Sequence, residues 1–267
     1  MSRSASASSL TEPVIVSRLR AAGCVFAEDE ARLIVSTART PAELAAMVDR
    51  RVVGLPLEHV LGWAEFCGMR VEVDSGVFVP RRRTEFLARE AVRLAAGRRV
   101  VVDLCCGSGA VGAAVAAAVD GVELHAADID PAAVRCARRN VAAVGGRVYE
   151  GDLYEPLPAV LRGRVDVLVA NAPYVPSAAI GLLPPEAREH EPRLALDGGA
   201  DGLAVQRRVA AQAPGWLAPG GHLLIETGER QAPYTAEVFS AAGLTARVTR
   251  CEEMGATVVI GRSPTAA

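Results

Sequence analysis

Lysine is missing altogether: all 29 basic residues of this 267-residue chain are arginine. That rules out a dehydrogenase relying on Tyr-x-x-x-Lys. A basic excess is missing too, since 31 acidic residues leave a net charge of −2. Proteins that live on nucleic acid usually carry clear positive excess, so nucleic acid is not the expected substrate. Paired cysteines are absent as well. The six, at 24, 67, 105, 106, 136 and 251, form no C-x-x-C unit, which argues against structural disulfides and a zinc cluster. The histidines at 59, 125, 190 and 222 are scattered, so no metal site is expected. No apolar run reaches the roughly 18 residues a membrane span needs. The nearest, residues 110–119, is mostly alanine and valine, with Gly112 inside it and Asp120 after it. The polar start, Met-Ser-Arg-Ser-Ala-Ser-Ala-Ser-Ser, lacks the apolar core of a signal peptide. Residues 1–10 read as a disordered leader, and the expectation is a cytoplasmic protein with no membrane partner.

What is present suffices for a large core. Hydrophobic residues make up 51% of the chain and charged residues 22%, enough for one large domain or two modest ones at about 150 residues each. Residues 11–67 read as a small helical domain. Thr11-Glu12-Pro13 opens one helix and Gly23 stops it; a second covers Ala27 to Ser36; Thr40-Pro41 opens a third, ending near Gly54; a short fourth covers Pro56 to Leu61. Beyond it the period changes. Met69–Val73 alternates as a strand, Asp74-Ser75-Gly76 turns, and Val77–Val79 reads as its partner. After Pro80-Arg81-Arg82-Arg83-Thr84-Glu85 comes a helix over 86–96.

From Gly97 onward strands alternate with helices, the pattern of a parallel, doubly wound sheet. Strands are predicted at 99–104, 123–128, 147–150, 165–170, 221–226, 245–250 and 257–261, the last two as an antiparallel hairpin. Helices are predicted at 109–119, 131–144, 203–214 and 232–242.

Two stretches carry chemistry. Val165–Ala170 is a near-continuous apolar run, as in a strand buried on both faces. It stops at Asn171-Ala172-Pro173-Tyr174, because Pro173 has no N–H for the ladder. An amide, a backbone carbonyl and a phenol thus arrive together at the carboxyl edge of the sheet, where open α/β folds bind ligands. The second stretch is Val100–Leu104 followed by Cys105-Cys106-Gly107-Ser108-Gly109 and a helix. Glycines let backbone approach a ligand, and the helix N-terminus offers free N–H groups to a carboxylate. Asp128, 19 residues beyond Gly109, is placed to accept the hydroxyls of a ribose. Gly107 to Gly112 also reads literally as G-x-G-x-x-G, the dinucleotide fingerprint. Asp103, next to the strand end, speaks against it, because dinucleotide enzymes prefer an apolar residue there. Asp152-Leu153, after a short strand, suits an adenine: the carboxylate to its amine, Leu153 against its ring.

With these pieces the chain resembles the protein-(glutamine-N5) methyltransferases of the HemK/PrmC group, whose fold is a seven-stranded Rossmann-like AdoMet-dependent methyltransferase sheet. The likeness runs through Pro56–Gly62, Phe78-Val79-Pro80-Arg81 with Thr84-Glu85, Asp103–Gly109, Asp128–Pro131, Gly151–Leu153, Asn171 with Pro173–Pro176, Glu191–Gly199 and Leu223–Gly228. It implies S-adenosyl-L-methionine as cofactor and methyl transfer to a glutamine amide nitrogen in a protein, a peptide-chain release factor being the family's target. The implied catalytic stretch is Asn171, Ala172, Pro173 and Tyr174. The cofactor set is Asp103, Cys105, Cys106, Gly107, Ser108, Gly109, Asp128, Asp152, Leu153 and Asn171. Pro80, Arg81, Thr84 and Glu85 lie on the substrate side, residues 11–67 form a substrate-docking domain, and residues 68–267 form the methyltransferase domain with an N-terminal hairpin.

Three departures mark a variant. Ala172 stands where the family has proline, Cys105-Cys106 where it has glycine and a small residue, and Arg82-Arg83 where an acid is usual. The arginine pair implies acidic groups flanking the substrate loop. Two other readings use the same residues: an exocyclic-amino methyltransferase of adenine or cytosine, which would need a basic groove and a flipped base, and a noncatalytic AdoMet-binding protein.

Overall fold

The computed structural model describes residues 10–97 and 99–265. The expected leader therefore lies outside the described residues, except Leu10, which packs on the first helical cluster. That cluster comprises α1 (Glu12–Ala21), α2 (Ala27–Thr37), α3 (Pro41–Val52) and α4 (Leu57–Leu61). Ile15, Leu19, Ile34, Met47, Val48 and Val60 form its core. The start of α3 is fixed locally. Thr40 Oγ1 accepts the Glu43 N–H at 3.1 Å, Glu43 accepts the Arg39 N–H at 2.8 Å, and Pro41 opens the helix, a cap of the kind that contributes about 1 kcal/mol.

A hairpin follows that contains the strand predicted from Met69, but with a different partner. β1 (Trp63–Phe66) pairs antiparallel with β2 (Met69–Glu72), and Val77–Val79 is not a strand. The turn is Cys67-Gly68, both with positive φ (49° and 74°), the conformation two-residue hairpin loops prefer. Val77 and Val79 are nevertheless buried, packing with Val73 and Ala133 beneath the hairpin.

The main sheet has order β5-β4-β3-β6-β7-β9-β8. Its strands are β3 (Val100–Leu104), β4 (Glu123–Asp128), β5 (Arg147–Glu150), β6 (Val165–Ala170), β7 (Leu217–Glu226), β8 (Thr245–Cys251) and β9 (Ala256–Arg262). The first five are parallel, and β9 enters antiparallel between β7 and β8. Around them lie α5 (Glu85–Ala95), α6 (Ala110–Ala118), α7 (Pro131–Ala142), α8 (Pro185–His190), α9 (Arg193–Leu196), α10 (Ala204–Gln212) and α11 (Ala232–Ala241). Both sheet faces are covered, which explains the unbroken apolar run of β6. Val167 and Val169 pack with residues of α5 and α6, while Leu168 and Ala170 pack with residues of α10 and α11.

Chain order runs outward from β3 to β5 on one side and from β6 through β7 on the other. The reversal leaves a crevice at the carboxyl ends of β3 and β6, where doubly wound sheets bind ligands. Among the described residues no helix is long and apolar enough to cross a membrane, and all six cysteines are free.

Candidate active site

The crevice is a cleft enclosing about 1070 Å³, counting its open mouth. Asp103, Cys105, Cys106, Gly107, Ser108, Asp128, Asp152, Leu153 and Asn171 all line it. Pro80, Thr84 and Pro173 line it too. Gly109 instead turns the chain into α6 with φ 78°. Ala172 and Tyr174 sit beside the cleft rather than on its wall. Arg81 and Glu85 are turned to other tasks: Arg81 pairs with Glu191 at 2.5 Å, and Glu85 accepts the Cys67 N–H and pairs with Arg89, each at 3.2 Å.

Three carboxylates define the cofactor half. Asp103 is 1% exposed and its Oδ2 accepts the Gly112 N–H at 2.8 Å. A Cβ on Gly112 would lie 3.0 Å from that oxygen, so the third glycine of the G-x-G-x-x-G run serves to bring α6 against Asp103. Burial, and to a smaller extent Asp128, raise the Asp103 carboxyl to about 7. Asp128 is held by two backbone donors, Gly107 N–H at 2.8 Å and Asp130 N–H at 2.9 Å, and burial raises its carboxyl as well. Asp152 was predicted to meet an adenine amine; one of its oxygens is taken by Arg208 at 2.5 Å, a residue the sequence did not single out. Cys105 has φ 53°, a left-handed backbone costing a non-glycine residue about 1–2 kcal/mol. Its thiol is pushed well up by burial and by the three neighbouring aspartates, so it is a neutral wall rather than a nucleophile.

The transfer half begins where β6 ends. Asn171 Nδ2 lies 3.4 Å from the Thr84 hydroxyl. Among the described residues, no donor is assigned to Asn171 Oδ1 or to the Ala172 carbonyl, leaving two acceptors side by side. The backbone behind them is braced. A Cβ on Gly198 would lie 2.7 Å from the Pro173 carbonyl oxygen, and Gln231 Nε2 donates to the Tyr174 carbonyl at 2.9 Å. The Glu191–Gly199 run thus supports the motif from behind and then covers the cleft, with Pro192, Leu194 and Ala195 on its wall.

The arginine pair divides. Arg82 is exposed. Arg83 turns inward to Glu226 Oε1 at 3.2 Å and the Tyr174 hydroxyl at 2.8 Å. Arg83 stays partly exposed, its side chain at 46%, but its charge is matched by Glu226. Glu226 lay in a run that carried the resemblance, but this contact was not legible because it joins residues 143 positions apart.

The donor set fits AdoMet. Asp128 suits ribose hydroxyls, Asp103 an α-ammonium, the glycine turn a carboxylate, and Leu153 an adenine face. A family description, "Methyltransferase small domain", matches residues 68–182. A methyltransferase structure from Pyrococcus furiosus superposes with a TM-score of 0.56 at 17% identity, covering 74% of this chain and 90% of that one. Fold and site together define an AdoMet-dependent methyltransferase. The release factor glutamine methyltransferase of Geobacter sulfurreducens is 40% identical over 226 residues, 83% of this chain and 78% of its own length. The 4-amino-L-phenylalanine/4-methylamino-L-phenylalanine methyltransferase of Streptomyces pristinaespiralis is 40% identical over 205 residues, 73% and 69% of the two chains. The chain belongs to the release factor glutamine methyltransferase family.

Proposed function

We propose that this enzyme methylates the side-chain amide nitrogen of a glutamine in a protein, a peptide-chain release factor, and that residues 11–67 help dock that protein. The observation that carries the reading is Asn171, on the wall of the cleft that also holds Asp103 and Asp128, with the Ala172 carbonyl next to it in the chain. AdoMet supplies an electrophilic methyl group on a sulfonium. An amide nitrogen is a poor nucleophile, because its lone pair is shared with its carbonyl. The chain's task is therefore to fix the amide in line and polarise its two N–H bonds, one on each acceptor. Orientation in a water-poor site supplies much of the rate. With AdoMet bound, the N–C bond would form as the methyl C–S bond breaks and the thioether leaves, one N–H proton would pass to solvent, and no strong base is required. Pro173 keeps Ala172 extended, so its carbonyl holds its place without a proline ring at 172. A cytoplasmic target makes this a cytoplasmic reaction.

A second reading has one observation behind it. The Streptomyces relative acts on an aryl amine, and an aryl –NH2 also offers two N–H bonds to such a pair, with Phe78, Pro80 and Leu194 as apolar walls. The helical cluster favours the protein substrate, since a free amino acid needs no docking domain. The test is Asn171→Ala with the release factor of the same cell as acceptor. At saturating AdoMet, turnover should fall about 100-fold or more, the scale of losing one positioned catalytic hydrogen bond. Retained turnover would refute the clamp.

A further inference from the structure

The three-residue turn Arg82–Thr84 touches both ends of the Asn171–Tyr174 segment. Thr84 is 2% exposed, and its hydroxyl oxygen accepts from the Asn171 amide nitrogen at 3.4 Å. An asparagine amide can turn either its oxygen or its nitrogen toward a ligand, and only the oxygen can accept a substrate N–H. Holding the amide on Thr84 restrains its rotation at the cleft wall. At the other end, Arg83 Nη2 donates to the Tyr174 hydroxyl at 2.8 Å, and that hydroxyl donates to Glu226 Oε1 at 3.2 Å. Arg83 Nε donates to the same oxygen at 3.2 Å. Glu226 is 2% exposed and ends β7, the strand next to β6. The phenol's donor and acceptor are both engaged, so the Tyr174 side chain is pinned at its hydroxyl end.

We propose that this turn sets the geometry of the amide clamp: Thr84 anchors the Asn171 amide against rotation, and Arg83 with Glu226 latches the Tyr174 phenol at the far end of the motif. Thr84 and Arg83 are positioning residues that act through Asn171 and Tyr174. The latch matters in this chain because Ala172 leaves Pro173 as the sole proline stiffening the four-residue loop. The proposal rests on the amide-clamp reading.

The experiment compares Thr84→Val, which keeps the shape and removes the hydroxyl, with Thr84→Ser, which keeps the hydroxyl. With a glutamine acceptor, kcat should fall about 10- to 100-fold in Thr84→Val, the range for a slightly misplaced catalytic group, and recover in Thr84→Ser, with AdoMet affinity unchanged in both. Arg83→Met should lower kcat and Arg83→Lys should restore part of it. Wild-type kcat in Thr84→Val, or equal loss in the serine variant, would overturn the proposal. A readout without acceptor separates it from the proposed function. Exchange of the Asn171 side-chain amide protons, followed by NMR, should speed up in Thr84→Val and slow again in Thr84→Ser. Identical exchange in all three proteins overturns the positioning role. The expected exchange pattern with a wild-type enzyme that methylates no glutamine would instead refute the proposed substrate and leave the positioning role standing.

Discussion

At the residue scale the decisive group is Asp103. Its carboxyl sits at about 7 against 3.8 for an ordinary aspartate, with burial as the main cause. The sign follows from linkage. The folded protein disfavours the charged form, so this group's contribution to stability is fully present below about 4 and is lost as pH rises through about 7. A cofactor ammonium set against Asp103 reverses the preference, because it binds the charged carboxylate. AdoMet affinity should therefore fall about tenfold per pH unit below about 7. Titration calorimetry across that range should show the slope, and Asp103→Asn should flatten it and weaken binding at high pH. A level profile in the unaltered enzyme would rule out Asp103 as the ammonium's partner. Asp103, Asp128 and Asn171 were legible in the sequence because each lies at or next to the carboxyl end of a strand. The contacts of Arg83, Glu226 and Arg208 were not. A long side chain on an exposed turn can pair with many groups, and only the packed fold selects one.

At the element scale the segment after the motif is tied down twice. Glu191, its side chain 1% exposed, accepts the Val79 N–H at 3.2 Å and Arg81 at 2.5 Å. Arg51 in α3, with 8% side-chain exposure, binds Glu30 of α2 and Glu186 of α8, each at 2.6 Å. The helical cluster is thus linked to the segment that covers the cleft. Arg51→Met would strand the Glu30 carboxylate, whose side chain is 11% exposed, and should cost about 3–5 kcal/mol in urea unfolding. Adding Glu30→Gln should recover most of it. An unchanged midpoint in the single variant would show that the bridge contributes nothing. The long elements were readable from periodicity, with ends within a few residues. The hairpin was misread because Asp74-Ser75-Gly76 looks like a turn between two short runs, whereas Cys67-Gly68 closes the real one. α8 and α9, of six and four residues, are too short to show a period and lie among prolines, so they left no trace.

At the scale of the molecule, one strand order explains why residues 103, 128, 152 and 171 meet. The reversal between β3 and β6 opens the crevice, and α5 with its leading turn closes it from the α5–α6 face. The alternation of strands and helices with a final hairpin pointed to a doubly wound sheet with an antiparallel end, but the strand order appears only in the structure; the choice of acceptor depends on groups outside this sheet. The measurement that bears most directly on the account is a one-pot competition. The enzyme is given methyl-labelled AdoMet with equal amounts of its own release factor and 4-amino-L-phenylalanine, and the products are located by tandem mass spectrometry. The account predicts label on a glutamine side-chain nitrogen of the release factor. Label confined to the aryl amine, with the protein unmodified, would contradict it.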